Sequence, residues 1–229
     1  MKFASLCILA YKRPERLKEC LSSLLTTLDY PAEIIVNLDG LDGNEDLNVN
    51  YLTHELKNFK ISKLILNQGK NRGVGRAFQN CLGVAEGDYI VKIDTDLTFS
   101  PQWLSTMIDI FDKNIDIGSV SCFDYNKWDP NDSRFKPEEN ILQERDCCYI
   151  VKDFVSSIYA FRKQDLKTNI LNAVIPDDGL HQSFGKMALT KTNMVLNTAF
   201  GVGKSTYISG TMDHPIKTTT FNEPFIFKV

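Results

Sequence analysis

At 229 residues, 43% apolar and 24% charged, the chain has the composition of one α/β domain with an ample core, which excludes a disordered or low-complexity protein. A formal net charge of −3 provides no global field for nucleic acid or an anionic membrane, and no apolar run approaches the roughly 20 residues of a membrane span. The six cysteines (Cys7, Cys20, Cys81, Cys122, Cys147, Cys148) contain no Cys-X-X-Cys pair, so neither a zinc site nor a disulfide framework is expected and a reducing, cytoplasmic setting fits.

In chain order, residues 3–9 form a continuous apolar run, the pattern of a strand covered on both faces. One lysine precedes it, but no small-residue cleavage site stands before Lys12-Arg13-Pro14-Glu15, so it reads as a strand rather than a leader. Pro14 opens a helix whose apolar residues Leu17, Cys20, Leu21, Leu24, Leu25 and Leu28 recur at helical spacing until Tyr30-Pro31. A second strand, residues 33–38, runs into the turn Asp39-Gly40-Leu41-Asp42-Gly43. A helix is expected over 51–57 and a third strand over 63–66.

Val74, Ala77, Phe78, Cys81, Leu82 and Ala85 write the next helix, closed by Gly87-Asp88, and residues 89–93 form the fourth strand. Ser100-Pro101 is expected to cap and open a further helix packed through Leu104, Met107, Ile108 and Phe111. Alternation of this kind predicts a mostly parallel, doubly wound sheet with right-handed crossovers. The second half is less regular: a strand over 117–123, a polar loop or lid over 124–144, a strand over 155–161 and a helix over 165–174. One domain is expected, its second half elaborating the first.

The fourth strand ends in Ile93-Asp94-Thr95-Asp96-Leu97, two carboxylates one residue apart at a strand's carboxyl end. Open α/β sheets bind ligands along that edge. Carboxylates working with phosphate oxygens suit a hard cation such as Mn2+ or Mg2+. The same pair also occurs as a plain solvated turn, so its neighbours decide its meaning.

Those neighbours resemble family 2 glycosyltransferases of the GT-A fold. Ala10-Tyr11-Lys12-Arg13-Pro14-Glu15-Arg16-Leu17 is close to the family's opening T-Y-N-R-P-x-x-L. Asp39-Gly40 stands where an acid and a glycine end the second strand. Asn71-Arg72-Gly73-Val74-Gly75-Arg76-Ala77-Phe78-Gln79-Asn80 follows N-x-G-x-x-x-A-R-N, with Gln79 against the usual arginine. Gly87-Asp88-Tyr89-Ile90 leads into the aspartate pair as in G-x-Y-I-x-x-x-D-x-D. Leu97 stands where many members have a third acid. The likeness is good over residues 3–110 and thin beyond.

The resemblance implies a Rossmann-like GT-A domain spanning 1–229, with a nucleotide-sugar half at 1–110 and an acceptor half with a flexible loop and tail at 111–229. It places Ala10, Tyr11, Arg13 and Glu15 around the base and ribose and Asp39 on a uracil edge. Asn71, Arg72 and Arg76 fall near the diphosphate and sugar, where a planar guanidinium matches phosphate. Asp94 and Thr95 fall on the ribose or donor sugar, and Asp96 on the metal.

In Ile175-Pro176-Asp177-Asp178-Gly179-Leu180-His181, similar to E-D-x-x-L, Asp178 would be the catalytic base and Asp177 its partner; Pro-Asp-Asp-Gly also forms a simple turn. His214 would complete the metal site from a closing loop. Ser156-Ser157-Ile158-Tyr159 would line the cleft, and Trp103 and Trp128 are aromatic surfaces for a sugar or base.

The implied activity is metal-dependent, inverting transfer from a nucleoside-diphosphate sugar, UDP by preference, to a saccharide hydroxyl. A second acceptor class is a hydroxymethylated DNA base, as compact phage-encoded glycosyltransferases modify, with Lys57, Lys60, Lys63, Lys70, Arg72 and Arg76 as its contact residues. A binding module without turnover would keep the donor half alone. A nucleotidyltransferase is disfavoured because Lys12-Arg13-Pro14 lacks phosphate-loop glycines. Two other patterns fail: Gly201-Val202-Gly203-Lys204-Ser205-Thr206 has Thr198 where a Walker loop needs glycine, and Gly73-Val74-Gly75 has Phe78 where a dinucleotide fingerprint needs one.

Overall fold

The computed structural model describes residues 1–41, 46–58, 60–69, 71–99, 101–122, 141–145, 148–151, 158–166, 193–197 and 224–228. The chain alternates β1 (Ala4–Ala10), α1 (Pro14–Thr27), β2 (Ala32–Leu41), α2 (Asp46–Lys57), β3 (Lys63–Gln68), α3 (Gly73–Val84), β4 (Tyr89–Asp94) and α4 (Trp103–Lys113). Then come β5 (Ile117–Cys122), β6 (Ile141–Arg145), β7 (Cys148–Val151), β8 (Ile158–Arg162) with a 3-10 turn Lys163–Asp165, β9 (Asn193–Asn197) and β10 (Pro224–Lys228).

The strands lie in the order β10-β3-β2-β1-β4-β8-β5-β9-β7-β6. β3, β2, β1 and β4 are parallel to one another and form the nucleus that the alternating pattern predicts. Later strands extend it in mixed sense: β8 runs antiparallel to both β4 and β5, and β10 closes the other edge antiparallel to β3. The path moves outward from β1 through β2 to β3, then crosses back to β4 on the other flank of β1. That reversal opens a crevice at the carboxyl ends of β1 and β4, where such sheets place their ligands.

β1 is buried along its whole length, which explains its unbroken apolar run. Side chains alternate between its two faces. Leu6, Ile8 and Ala10 join Leu17, Leu21 and Leu24 of α1 and Trp103, Met107 and Phe111 of α4 in the main core. On the opposite face α3 packs over β1 and β2, and Phe78 meets Tyr159 and Phe161 of β8 edge-on at 5.9 and 6.0 Å. A strand filled on both faces has no use for alternation.

Several boundaries differ from the sequence pattern. α2 begins at Asp46, five residues before the expected start, and β2 continues through Asp39 and Gly40 to Leu41 with a shift in its pairing to β3. α4 begins at Trp103 rather than at Ser100-Pro101, with Gln102 at its N-cap in the left-handed region. Tertiary anchoring sets that start: Ser23 Oγ accepts from Phe99 N at 2.6 Å, and the Phe99 ring packs on Trp103 at 4.6 Å. The strand expected over 155–161 is described over 158–162, and of the helix expected over 165–174 the described part is the 3-10 turn and Leu166.

Candidate active site at the carboxyl ends of the parallel strands

Three connections converge at the crevice. The first leaves β1 at the buried Ala10 and half-buried Tyr11, then passes through Lys12 and Arg13, both left-handed at φ 53° and 51°. Consecutive non-glycine residues in that region are costly and persist only where surrounding contacts impose them. Here Asn48 Nδ2 of α2 donates to Lys12 O at 3.4 Å, and the Arg13 carbonyl accepts from Arg16 N and Leu17 N to start α1. Lys12 Nζ lies 5.0 Å from the centre of the Tyr11 ring. Arg13 is exposed, and Glu15 points to solvent with Lys18 Nζ at 3.3 Å.

The second connection holds Asp39 and Gly40. Asp39 is 3% exposed; its Oδ2 accepts from Arg72 N at 2.6 Å and its Oδ1 from Asn67 Nδ2 at 3.0 Å. Burial raises its pKa above the usual carboxylate value, and these bonds and the Arg72 charge oppose the rise. A carboxylate at the amino end of α3 also faces the positive end of the helix dipole. Beneath it Asn67, Asn37 and Asn80 form an amide chain with contacts of 3.3–3.4 Å. Gly40, at φ +69°, has no room for a side chain: a Cβ would lie 2.9 Å from Asn71 N and from Tyr11 Cε2. This glycine brings the ends of β1, β2 and α3 together.

The third is the aspartate pair itself, with Asp94, Thr95 and Asp96 all half-buried. Lys92 Nζ sits 2.6 Å from Asp94 Oδ1, and the Cys20 thiol donates to Asp94 O at 3.8 Å. Asp96 Oδ1 is buried with no hydrogen-bond partner. Burial, then the charge of Asp94, pushes the Asp96 carboxyl up to about 6, against smaller opposing pulls from Lys92, its own backbone N–H and Arg13. A buried carboxylate oxygen without a donor is an anomaly in a finished core. A hard divalent cation would satisfy it, and the oxygen donor set suits Mn2+ or Mg2+. Among the described residues no cluster of three or more His, Cys, Asp or Glu forms there, so remaining ligands would come from phosphate, water or residues outside that set.

The structure thus gathers Ala10, Tyr11, Arg13, Asp39, Asn71, Arg72, Asp94, Thr95 and Asp96 along one sheet edge. Asn71 Oδ1 accepts from Gly73 N at 2.6 Å, and Arg72 is buried at 4% exposure. Arg76 is exposed and its Nη1 donates to Gln79 Oε1 at 2.7 Å. Asp177, Asp178 and His214 lie outside the described residues, as do Ser156, Ser157, Trp128 and His181. Trp103 is buried core and offers no sugar platform.

Of the six basic residues Lys70 lies outside the described residues, and the other five do not form one exposed face. Lys63 is buried 2.6 Å from Glu33 and Arg72 is buried, while Lys60 pairs with Glu55 at 3.0 Å. Lys92, Asn48 and, in the amide chain, Asn37 and Asn67 are fixed positions of no motif in the sequence. A lysine in the middle of an otherwise apolar strand was the one readable signal.

Comparisons with known proteins bear on the family and the fold. The chain is 26% identical over 133 residues to the glucosyl-dolichyl phosphate glucuronosyltransferase of Haloferax volcanii, covering 58% of this chain and 41% of that protein. In fold it is similar to the mannosyltransferase PcManGT from Pyrobaculum calidifontis in complex with GDP-Man and Mn2+, with TM-score 0.63, 18% identity, and 89% of this chain against 58% of that one. It is likewise similar to S. aureus TarS 1-349 in complex with UDP-GlcNAc, with TM-score 0.58, 18% identity, and 92% against 61%. The chain therefore spans about two fifths of the curated relative and about three fifths of these solved chains. Among the described residues no helix is long and apolar enough to cross a membrane. The family described as "Glycosyl transferase family 2" matches residues 5–178 of the 229, and this chain belongs to it.

Proposed function

We propose that the chain transfers a sugar from a nucleoside-diphosphate donor, UDP-linked by preference, to a saccharide hydroxyl with inversion at the anomeric carbon. The observation that carries this reading is the buried, partnerless Asp96 Oδ1 beside Asp94, at the edge where the ends of β1, β2 and α3 converge. Asp96 would hold Mn2+ or Mg2+, with His214 as a further ligand. When bound, the cation neutralises charge developing on the leaving diphosphate.

The other roles belong to the chain's own groups. Tyr11, Arg13 and Glu15 would embrace the base and ribose. Asp39, with both oxygens already accepting protein bonds, retains further lone pairs for a base N–H and holds the 71–73 turn in place. Asn71, Arg72 and Arg76 would face the diphosphate and sugar, and Asp94 and Thr95 the ribose or donor sugar. Asp178, supported by Asp177, would take the acceptor proton as its oxygen attacks the anomeric carbon. The known relatives carry different donors, GDP-Man and UDP-GlcNAc, so the base preference rests on Asp39. Dispersal of the basic residues favours a saccharide over a DNA acceptor.

A thermal-shift panel of uridine, guanosine, cytidine and adenosine diphosphates and their sugar conjugates, each with and without Mn2+, tests the proposal. A metal-dependent shift with one diphosphate class, lost in Asp96→Asn, is the expected result. No response in any well would overturn it.

A further inference from the structure

Lys92 is a fully buried charge in the middle of β4, surrounded along the strand by Tyr89, Ile90, Val91 and Ile93. Strand alternation places Lys92 and Asp94 on the same face, and the pairing of β4 with β8 sets Lys92 opposite Tyr159. Among the described residues, the ammonium faces Asp94 Oδ1 at 2.6 Å and the Tyr159 ring, centred 5.9 Å away, and its charge also reaches Asp96. The contact with Asp94 is off the hydrogen-bond direction, so the attraction is ionic. An ammonium is costly to bury, and a methionine of the same length would fill this space more cheaply. The position therefore calls for a reason beyond packing.

We infer that Lys92 is a positioning residue, an internal counter-cation that holds Asp94 in place and cancels its charge. It rests on the metal-diphosphate reading above. With Asp94 neutralised from inside the fold, the aspartate pair shows an incoming cation the net charge of one carboxylate, Asp96. Such a site binds a divalent cation weakly alone and firmly once a diphosphate adds its own negative charge. Lys92 thereby keeps the site's hold on metal weak until the donor arrives, while the metal and the diphosphate strengthen each other reciprocally through their own opposite charges.

The test is Mn2+ binding, read as free Mn2+ by electron paramagnetic resonance, on the full chain with and without UDP or GDP. In the wild type the diphosphate strengthens Mn2+ binding, and Asp96→Asn abolishes binding. In Lys92→Met, binding without diphosphate tightens on the order of tenfold, since an opposite charge removed at this range has about that effect. Binding with diphosphate tightens as well, because the lost repulsion acts on the cation in both states, and the enhancement by diphosphate stays close to that of the wild type. Equal weakening of both arms, as a merely structural lysine would give, or no change in either, overturns the inference while a normal Asp96→Asn response keeps the metal reading. Identical Mn2+ binding by wild type and Asp96→Asn overturns the metal reading and this inference with it. Lys92→Gln, which keeps a polar contact to Asp94 without the charge, supplies the same readout if the methionine variant does not fold.

Discussion

The two ends of the parallel strands follow opposite rules. At the amino ends, the buried charged groups are fully engaged. Lys63 Nζ donates to Glu33 Oε2 (2.6 Å), Val84 O (2.7 Å) and Glu86 Oε1 (2.8 Å), while Glu33 Oε1 accepts from Ser5 Oγ and Glu86 N, both at 2.6 Å. Arg162 is likewise spent on the carbonyls of Phe111, Asn114 and Ile117 and on Asp165. At the carboxyl ends the backbone is strained and some polar atoms lack partners. Every positive-φ residue among those described (Lys12, Arg13, Gly40, Gly69, Gly73, Gln102) lies at the ends of β1 to β4 or in the connections leaving them. Asp96 Oδ1, Asn48 Oδ1 and Asn37 Nδ2 are buried there without hydrogen bonds. One end staples the sheet, and the other leaves buried polar atoms open, as the proposed ligand site requires. Functional sites depart from local consistency in this way, and the rest of the fold sustains the cost.

The largest effect that would break this contrast is at Asp96. Asp96→Asn should lower metal-dependent turnover by on the order of 10²-fold or more, as loss of a group stabilising transition-state charge does, with little change in Tm. A large drop in Tm instead would make Asp96 a structural residue. At the stapled end the pattern inverts. Lys63→Met leaves Glu33 buried without its cation and should cost about 3 kcal/mol in urea unfolding, with nucleotide binding by the folded fraction unchanged. Weakened binding in that variant would show that the two ends are not separable.

Gly40→Ala joins the two properties. The new Cβ would meet Asn71 N and Tyr11 Cε2 at 2.9 Å on a backbone at φ +69°, so about 1–3 kcal/mol of stability should be lost together with diphosphate affinity. Gly83→Ala is its control: Gly83 is an exposed position of α3 with nothing within 4 Å of the added methyl, and a gain of about 0.5–1 kcal/mol is expected.

The pH dependence should differ in sign between the ends. Burial alone would raise the Glu33 carboxyl, but bonds from Lys63, Ser5 and the Glu86 backbone outweigh it and hold the group below its ordinary 4.5. Its stabilisation is therefore present above that value and lost as pH falls through the lower folded value. Asp39 is raised above 3.8, so its contribution declines as pH rises from 3.8 through its folded value. Urea midpoints measured from pH 3 to 6 should show a shallower acid limb in Glu33→Gln and the opposite change in Asp39→Asn; matching changes would erase the distinction.

Local patterns along the chain were enough to specify the parallel nucleus. Apolar runs and helical spacings are local patterns, and β1, α1, β3, α3 and β4 followed them because each buries what its own residues dictate. Asp94-Thr95-Asp96 was legible from its place at a strand's carboxyl end, whereas Asp39-Gly40 and Asn71-Arg72-Gly73 stood out only through the family resemblance. The tertiary structure alone decided what those residues touch. Asp39 is buried under the start of α3, Arg76 turns outward to Gln79, α4 waits for Trp103, and Lys92 neutralises Asp94 from within. Each of these depends on which distant segment packs against the residue: Asn67 beneath Asp39, Phe99 on Trp103, Tyr159 opposite Lys92. Contacts between residues far apart in the chain leave no periodic trace in it, so only the assembled sheet could show them.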